Sequence, residues 1–310
     1  MINPFYQRDL ISIGDLSLSD IECIMTTASQ LKHKVMTPSI AGNVIAHCFF
    51  EPSTRTRLSF EAATLRLGGS VIGFASDDNI STKKGESLHD TVKVIGSYAD
   101  LVIIRHPKEG AARLAAEATD KPVINAGDGG NQHPTQALID LFTIQNCQKN
   151  MHGLSIALVG DLKYSRSMHS FVQIASLFDV RLFLVSPAHL SLPDYICDEL
   201  KTKGIRFSYH EAIEEIINKV DIIYLNRIQK ERLHAGYQAK NDSPFMLTLP
   251  ILKQAKSSMR ILDPLPRVGT TDPKIDDTPF AYYFEQAANG ICIRQALLLL
   301  LLNQELPCQR

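Results

Sequence analysis

The 310-residue sequence is most informative at first for what it does not contain. No G-x-G-x-x-G opens a helix after a strand, and no G-x-x-x-x-G-K-[ST] occurs, which argues against a dinucleotide site and a nucleotide-hydrolysing loop. Without H-E-x-x-H or a His/Cys cluster there is no sign of a catalytic metal, and without G-x-S-x-G no serine-hydrolase elbow. The six cysteines are scattered and form no C-x-x-C. They read as reduced, mostly buried thiols rather than a disulfide frame or a zinc site. Net charge is only −1, so the bulk offers neither nucleic acid nor an acidic membrane a broad basic field. The longest apolar run, 296–302, is too short to span a bilayer and reads as a buried C-terminal helix. The first residues lack an apolar signal core, so the expectation is a cytoplasmic protein. There is no repeat of fixed period and no low-complexity linker.

What is present is an α/β rhythm. Hydrophobic residues make up 45% and charged residues 21%, an ordinary globular balance whose length suggests about two domains. Strand-like apolar runs fall at 44–50, 70–74, 101–105, 122–125, 154–160, 181–186, 205–208, 221–225 and 260–262, with helical patterns between them. That alternation predicts two doubly wound parallel-sheet domains with an interdomain cleft. Ser155-Ile156-Ala157-Leu158-Val159-Gly160-Asp161 looks like the first strand of the second unit, so the chain divides near residue 150. A helix from Pro134 to about Cys147 would bridge the halves, and the apolar C-terminal helix would return to the first domain.

One stretch carries chemistry on its own. In Phe50-Glu51-Pro52-Ser53-Thr54-Arg55-Thr56-Arg57, Pro52 and Ser53 end the first strand, and Leu58, Ala62 and Leu65 then recur at helical spacing. Ser53 stands where an N-cap belongs, and Thr54, Arg55 and Thr56 fill the first turn. Open backbone N–H groups, the positive end of the helix dipole, hydroxyls and a guanidinium meet there, which describes an anion site and best a phosphate site. Ligands of open α/β sheets bind beyond the carboxyl ends of the strands. Arg105-His106, His133, Arg166 and Arg227 follow predicted strands in the same way.

The residues from Phe50 to Arg57 resemble the carbamoyl-phosphate signature of the carbamoyltransferases, and His133-Pro134-Thr135-Gln136 resembles that family's second signature. Gly160-Asp161-Leu162-Lys163-Tyr164-Ser165-Arg166, Arg227-Ile228-Gln229-Lys230-Glu231-Arg232 and Pro264-Leu265-Pro266-Arg267 narrow the resemblance to the aspartate carbamoyltransferase catalytic chains, closest to the enterobacterial-type regulated enzymes. It runs the length of the chain with the motifs in family order. It implies transfer of a carbamoyl group from carbamoyl phosphate to L-aspartate in pyrimidine biosynthesis, with no cofactor, no metal and no covalent enzyme intermediate. Residues 1–134, completed by a helix at about 290–306, would bind carbamoyl phosphate, and 150–289 would bind aspartate.

By the same resemblance, Ser53, Thr54, Arg55 and Thr56 hold the phosphate, together with Ser81 and Lys84. Thr56, Arg105 and His133 address the carbonyl oxygen, with Gln136 near the carbamoyl nitrogen. Arg55, Thr56, Lys84, Arg105, His133 and Gln136 form the catalytic set. Arg166, Arg227 and Gln229, with Lys84 and Arg105, bind aspartate, while Pro264 and Leu265 supply backbone carbonyls to its amine. Five cations (Arg55, Lys84, Arg105, Arg166, Arg227) then face about four negative charges on the two substrates. Because His133 precedes Pro134 at a helix start near guanidiniums, it is expected to act as a neutral donor.

The resemblance also implies a homotrimer in which the 80s loop, with Ser81 and Lys84, enters the neighbouring subunit's site. Separate regulatory chains carrying zinc and nucleotides would join a larger assembly, leaving both ligands off this chain. Glu51, Lys163, Tyr164 and Arg232 match interdomain and intersubunit switch residues. Asp263 replaces a usual His and Asn226 a usual Thr, and the 80s loop is one residue short. Asp263 would either weaken aspartate binding or pair with a cation. An ornithine carbamoyltransferase is the nearest alternative, but here Pro264-Leu265 follows Asp263 without a Cys, and two arginines would repel an ornithine ammonium. A noncatalytic binding homologue is the other, and would be expected to lose Arg105 or His133. Arg57 is expected to make an ion pair on its own helix.

Overall fold

The computed structural model describes residues 3–76, 85–229 and 245–305. The chain divides into two compact units, Met1–Ile139 with Ala288–Arg310, and Asp140–Ala287. In the first, the elements run α1 (Leu18–Lys32), β1 (Val44–Phe49), α2 (Thr54–Arg66), β2 (Ser70–Phe74), α3 (Leu88–Gly96), β3 (Leu101–His106), α4 (Ala111–Ala118), β4 (Val123–Asp128) and the start of α5 (Pro134–Gln148). The second holds the rest of α5, then β5 (Ser155–Gly160), α6 (Arg166–Ala175), β6 (Arg181–Val185), α7 (Asp194–Thr202), β7 (Arg206–His210), β8 (Ile222–Asn226), α8 (Leu249–Leu252), β9 (Arg260–Leu262) and the beginning of α9 (Tyr283–Leu302). The remainder of α9 belongs to the first unit.

Both sheets are wholly parallel, as expected of strands that read as near-continuous apolar runs. The first is ordered β2-β1-β3-β4 and the second β7-β6-β5-β8-β9. Chain order reverses direction between β1 and β3 in one sheet and between β5 and β8 in the other. Crossover helices leave in opposite directions at such a point, and their divergence opens a crevice beyond the strand ends. Ala46, Cys48, Val102, Ile104, Ala112 and Val123 pack on one face of the first sheet. Val159, Phe183, Ile223, Leu225, Ile261 and Tyr283 do the same in the second. Burying each of the larger side chains contributes about 1.5–3 kcal/mol.

Two expectations need correction. The C-terminal helix begins at Tyr283, well before the expected start near 290. Asn289 and Gly290 hide its first turns in the sequence, because both are poor helix formers. The glycine leaves room for a neighbour, since a Cβ there would lie 2.4 Å from Arg294 Nη1 and displace the end of that side chain. Of the five described cysteines only Cys48 and Cys197 are buried, while Cys23, Cys147 and Cys292 are half-buried. The expected Arg57 ion pair forms with Glu61, one helical turn on, at 2.6 Å.

Candidate active site

The first constellation surrounds the β1/β3 switch point. Chain leaves β1 through Phe50, whose N–H donates to the Arg105 carbonyl at 2.8 Å, and turns at Pro52 into α2. Thr54, Arg55 and Thr56 are the first three residues of that helix, as the sequence predicts. Five described helical segments start after a serine, and four of those hydroxyls (Ser12, Ser17, Ser87, Ser165) accept a backbone N–H of their own helix. Ser53 makes no such bond. Thr56 is buried and Arg55 exposed beside it, at a helix end whose leading N–H groups find no partner within the helix itself. Across the switch point, Arg105 lies at the end of β3. Its Nη1 donates to the Ala126 carbonyl at 3.3 Å, and its Nε stands 3.4 Å from Glu51 Oε2, an ion pair rather than an aligned hydrogen bond.

His133 arrives from β4 by a tight polar loop. Its carbonyl accepts the Gln136 and Ala137 N–H groups that start α5, and its Nδ1 is 3.4 Å from Thr135 Oγ1. His133 is buried and Gln136 half-buried. Asp128 builds the loop: its carboxylate accepts from the Gln132 and Gly110 N–H groups and from both Asn125 Nδ2 and Asn131 Nδ2, at 2.8–3.1 Å. Sequence reasoning missed Asp128 and Asn125. Their signal was two polar residues inside the fully buried run Val-Ile-Asn-Ala-Gly-Asp.

The second constellation surrounds the β5/β8 switch point, and a single buried carboxylate organises it. Asp161 Oδ1 accepts from the Lys163 and Tyr164 N–H groups at 3.1 and 2.9 Å, while Oδ2 accepts the Gln229 N–H at 3.2 Å. The Asp161 carbonyl takes Asn226 Nδ2 at 3.1 Å. Burial pushes the Asp161 carboxyl up, and the donated N–H groups oppose that rise. One residue thereby ties the loop that leads into Arg166, first residue of α6, to the loop that carries Arg227 and Gln229. Arg166 is 6% exposed, whereas Arg227 is half-buried with Nη1 on the Ile228 carbonyl at 3.3 Å. The two strands approach so closely that Gly160, at φ +111°, has no room for a side chain: a Cβ would fall 1.9 Å from the Asn226 carbonyl oxygen. Lys163 is exposed over the Tyr164 ring at 5.3 Å.

Beyond β9, Pro264 and Leu265 are half-buried. Asp263 does not behave as a stray charge, because Oδ1 accepts the Leu265 N–H at 2.7 Å and Oδ2 the Thr270 hydroxyl at 3.1 Å. Arg267 is structural, forked onto Asp276 and stacked on Tyr283 and Phe284. Ser81, Lys84 and Arg232 lie outside the described residues. Among the described residues no group of three or more His, Cys, Asp or Glu could hold a metal ion. None of the described helices is long and apolar enough to cross a membrane.

Residues 8–146 match the family model "Aspartate/ornithine carbamoyltransferase, carbamoyl-P binding domain", and residues 152–301 match "Aspartate/ornithine carbamoyltransferase, Asp/Orn binding domain". The chain belongs to the aspartate/ornithine carbamoyltransferase family. Among curated relatives, the aspartate carbamoyltransferase catalytic subunit of Chromobacterium violaceum is 50% identical over 96% of this chain and 99% of its own length. A catalytic subunit 2 of Shewanella halifaxensis is 52% identical over 98% of this chain and 99% of its own. Among solved structures, the Trypanosoma cruzi aspartate transcarbamoylase in complex with carbamoyl aspartate and phosphate superposes with a TM-score of 0.90 at 33% identity, covering 97% of this chain and 98% of that one. The catalytic subunit of the M. Jannaschii enzyme gives 0.86 at 43% identity, covering 94% of this chain and 96% of that one. In carbamoyltransferase terms, the first constellation falls in the carbamoyl-P domain and the second in the Asp/Orn domain.

Proposed function

We infer that this chain transfers the carbamoyl group of carbamoyl phosphate to the amine of L-aspartate, giving N-carbamoyl-L-aspartate and phosphate, in pyrimidine biosynthesis. The observation that carries the choice of acceptor is the pair Arg166 and Arg227, whose loops are fastened to one carboxylate, Asp161. Two guanidiniums suit a dicarboxylate and oppose ornithine's ammonium. The amine nitrogen bonds to the carbonyl carbon, the carbon–oxygen bond to phosphate breaks, and the amine proton leaves with the phosphate. Ser53, Thr54, Arg55 and Thr56 bind the phosphate, joined by Ser81 and Lys84. Thr56, Arg105 and His133, with a neutral ring, stabilise the charge that grows on the carbonyl oxygen, and Gln136 meets the carbamoyl nitrogen. Arg166, Arg227 and Gln229 orient aspartate, with Pro264 and Leu265 accepting from its amine. The protein's work is positioning and charge neutralisation.

The working unit is a homotrimer with shared sites. Support comes from apolar side chains that this chain leaves open: Leu58 and Leu65 on one face of α2, Val94 near the end of α3 and Tyr98 in the turn after it, and Ile72 on the edge strand β2. Association with separate zinc-containing regulatory chains rests on family resemblance. In that assembly Glu51, Lys163, Tyr164 and Arg232 act as switch residues, and Glu51 leaves its partner Arg105 when substrates arrive. The test is product formation from carbamoyl phosphate with either aspartate or ornithine. Carbamoyl-aspartate alone is expected. Citrulline would identify an ornithine enzyme, and binding without turnover a noncatalytic homologue.

A further inference from the structure

We propose that Asp263 is a positioning residue for the acceptor amine: it presets the Pro264–Leu265 backbone so that both carbonyls stand ready for the aspartate N–H groups. This deepens the reading above and rests on it. Leu265 holds a φ of +59°, a region that residues with a Cβ seldom occupy. Something must hold it there, and the N–H of Leu265 is fixed by Asp263 Oδ1 at 2.7 Å. The second oxygen is fixed in turn by Thr270 Oγ1 at 3.1 Å, so the carboxylate cannot rotate freely. Asp263 and Thr270 are both buried.

The start of the segment is anchored just as firmly. The Asp263 N–H donates to Gln286 Oε1 at 2.9 Å, and Gln286 Nε2 donates to Asp140 Oδ1 at 2.7 Å. Tyr224 completes the chain by donating its hydroxyl to Asp140 Oδ2 at 2.7 Å. With both ends of the Gln286 amide engaged, its orientation is set, and so is the point where the backbone leaves β9. At the far end Arg267 is held by Asp276 and Tyr283. Between these anchors, among the described residues, neither the Pro264 nor the Leu265 carbonyl accepts a hydrogen bond. A half-buried segment pinned at both ends with two open acceptors has the chemistry to receive an amine.

The test compares three variants of the full chain with wild type. Asp263→Ala removes the acceptor and should lower kcat/KM for aspartate by about tenfold or more, mainly through KM, while KM for carbamoyl phosphate stays unchanged. Asp263→Asn keeps an oxygen for the Leu265 N–H and should restore kcat/KM to within about twofold of wild type. Thr270→Val frees the second oxygen and should raise the aspartate KM by about threefold. Should Asp263→Ala not fold, the other two decide. Wild-type aspartate kinetics in Asp263→Ala or Thr270→Val overturns the proposal, as does an Asp263→Asn variant as impaired as the alanine. A wild-type chain that makes no carbamoyl-aspartate sinks the parent reading as well, and so is told apart from a failure of the proposal alone.

Discussion

His47 shows at the scale of one residue how burial writes a pH dependence. The ring lies inside β1, and among the described residues neither nitrogen has a hydrogen-bond partner. Burial, and after it the charge of Arg57, pushes its pKa down to about 4 from 6.5. The unfolded chain therefore binds the proton more readily than the fold does. The stability that the neutral ring confers is complete above about pH 6.5, falls as the pH drops below that, and is gone near pH 4, a span of about 3 kcal/mol. His47→Leu, similar in volume and apolar, should match the wild-type midpoint at pH 7 to within about 1 kcal/mol. It should also flatten the pH 6.5-to-4 decline, as urea melts at several pH values would show. A decline as steep as wild type would place the titration elsewhere.

Among elements, α2 and α6 are each preceded by a serine and use it differently. Ser165 caps its helix through the Met168 N–H at 3.4 Å, whereas Ser53 leaves its helix uncapped. Ser165→Ala should thus cost about 1 kcal/mol of stability. Ser53→Ala should cost under about 0.5 kcal/mol yet raise KM for carbamoyl phosphate, which follows from the proposed role of its hydroxyl at the phosphate. Thermal melts and substrate titrations of the two variants check the contrast. Elements were also what the sequence revealed best. All nine strand runs are found, with ends shifted by at most three residues, because buried parallel strands are unbroken apolar runs bounded by turns. The signature residues Ser53 to Thr56, His133, Arg166 and Arg227 could be placed beyond strand ends for the same reason, whereas Arg105, expected after its strand, is still paired within β3 opposite Phe49. The loop organisers Asp128, Asp161 and Asp263 could not. A carboxylate turned inward onto backbone N–H groups looks, in sequence, like one facing water.

For the whole molecule, a net charge of −1 coexists with arginines at the strand ends of each domain, so on the proposed reading the field that draws two anionic substrates is local. On that same reading, sharing of sites between chains is what would make the assembly more than three independent enzymes. Inactive Lys84→Ala chains mixed with inactive Arg55→Ala chains should regain activity, because one hybrid site collects both intact residues. Each parent trimer should stay inactive, and absence of recovery in a verified hybrid would assign each site to a single chain.

The two parallel sheets give every strand the same polarity, so each domain has a working rim and a silent rim. At the silent rim the exposed turn Lys203-Gly204, just ahead of β7, has open space where a glycine Cβ would go. A fluorophore or affinity peptide spliced there would sit at the opposite rim of its own domain from Arg166 and Arg227, and should leave turnover unchanged while reporting on the protein.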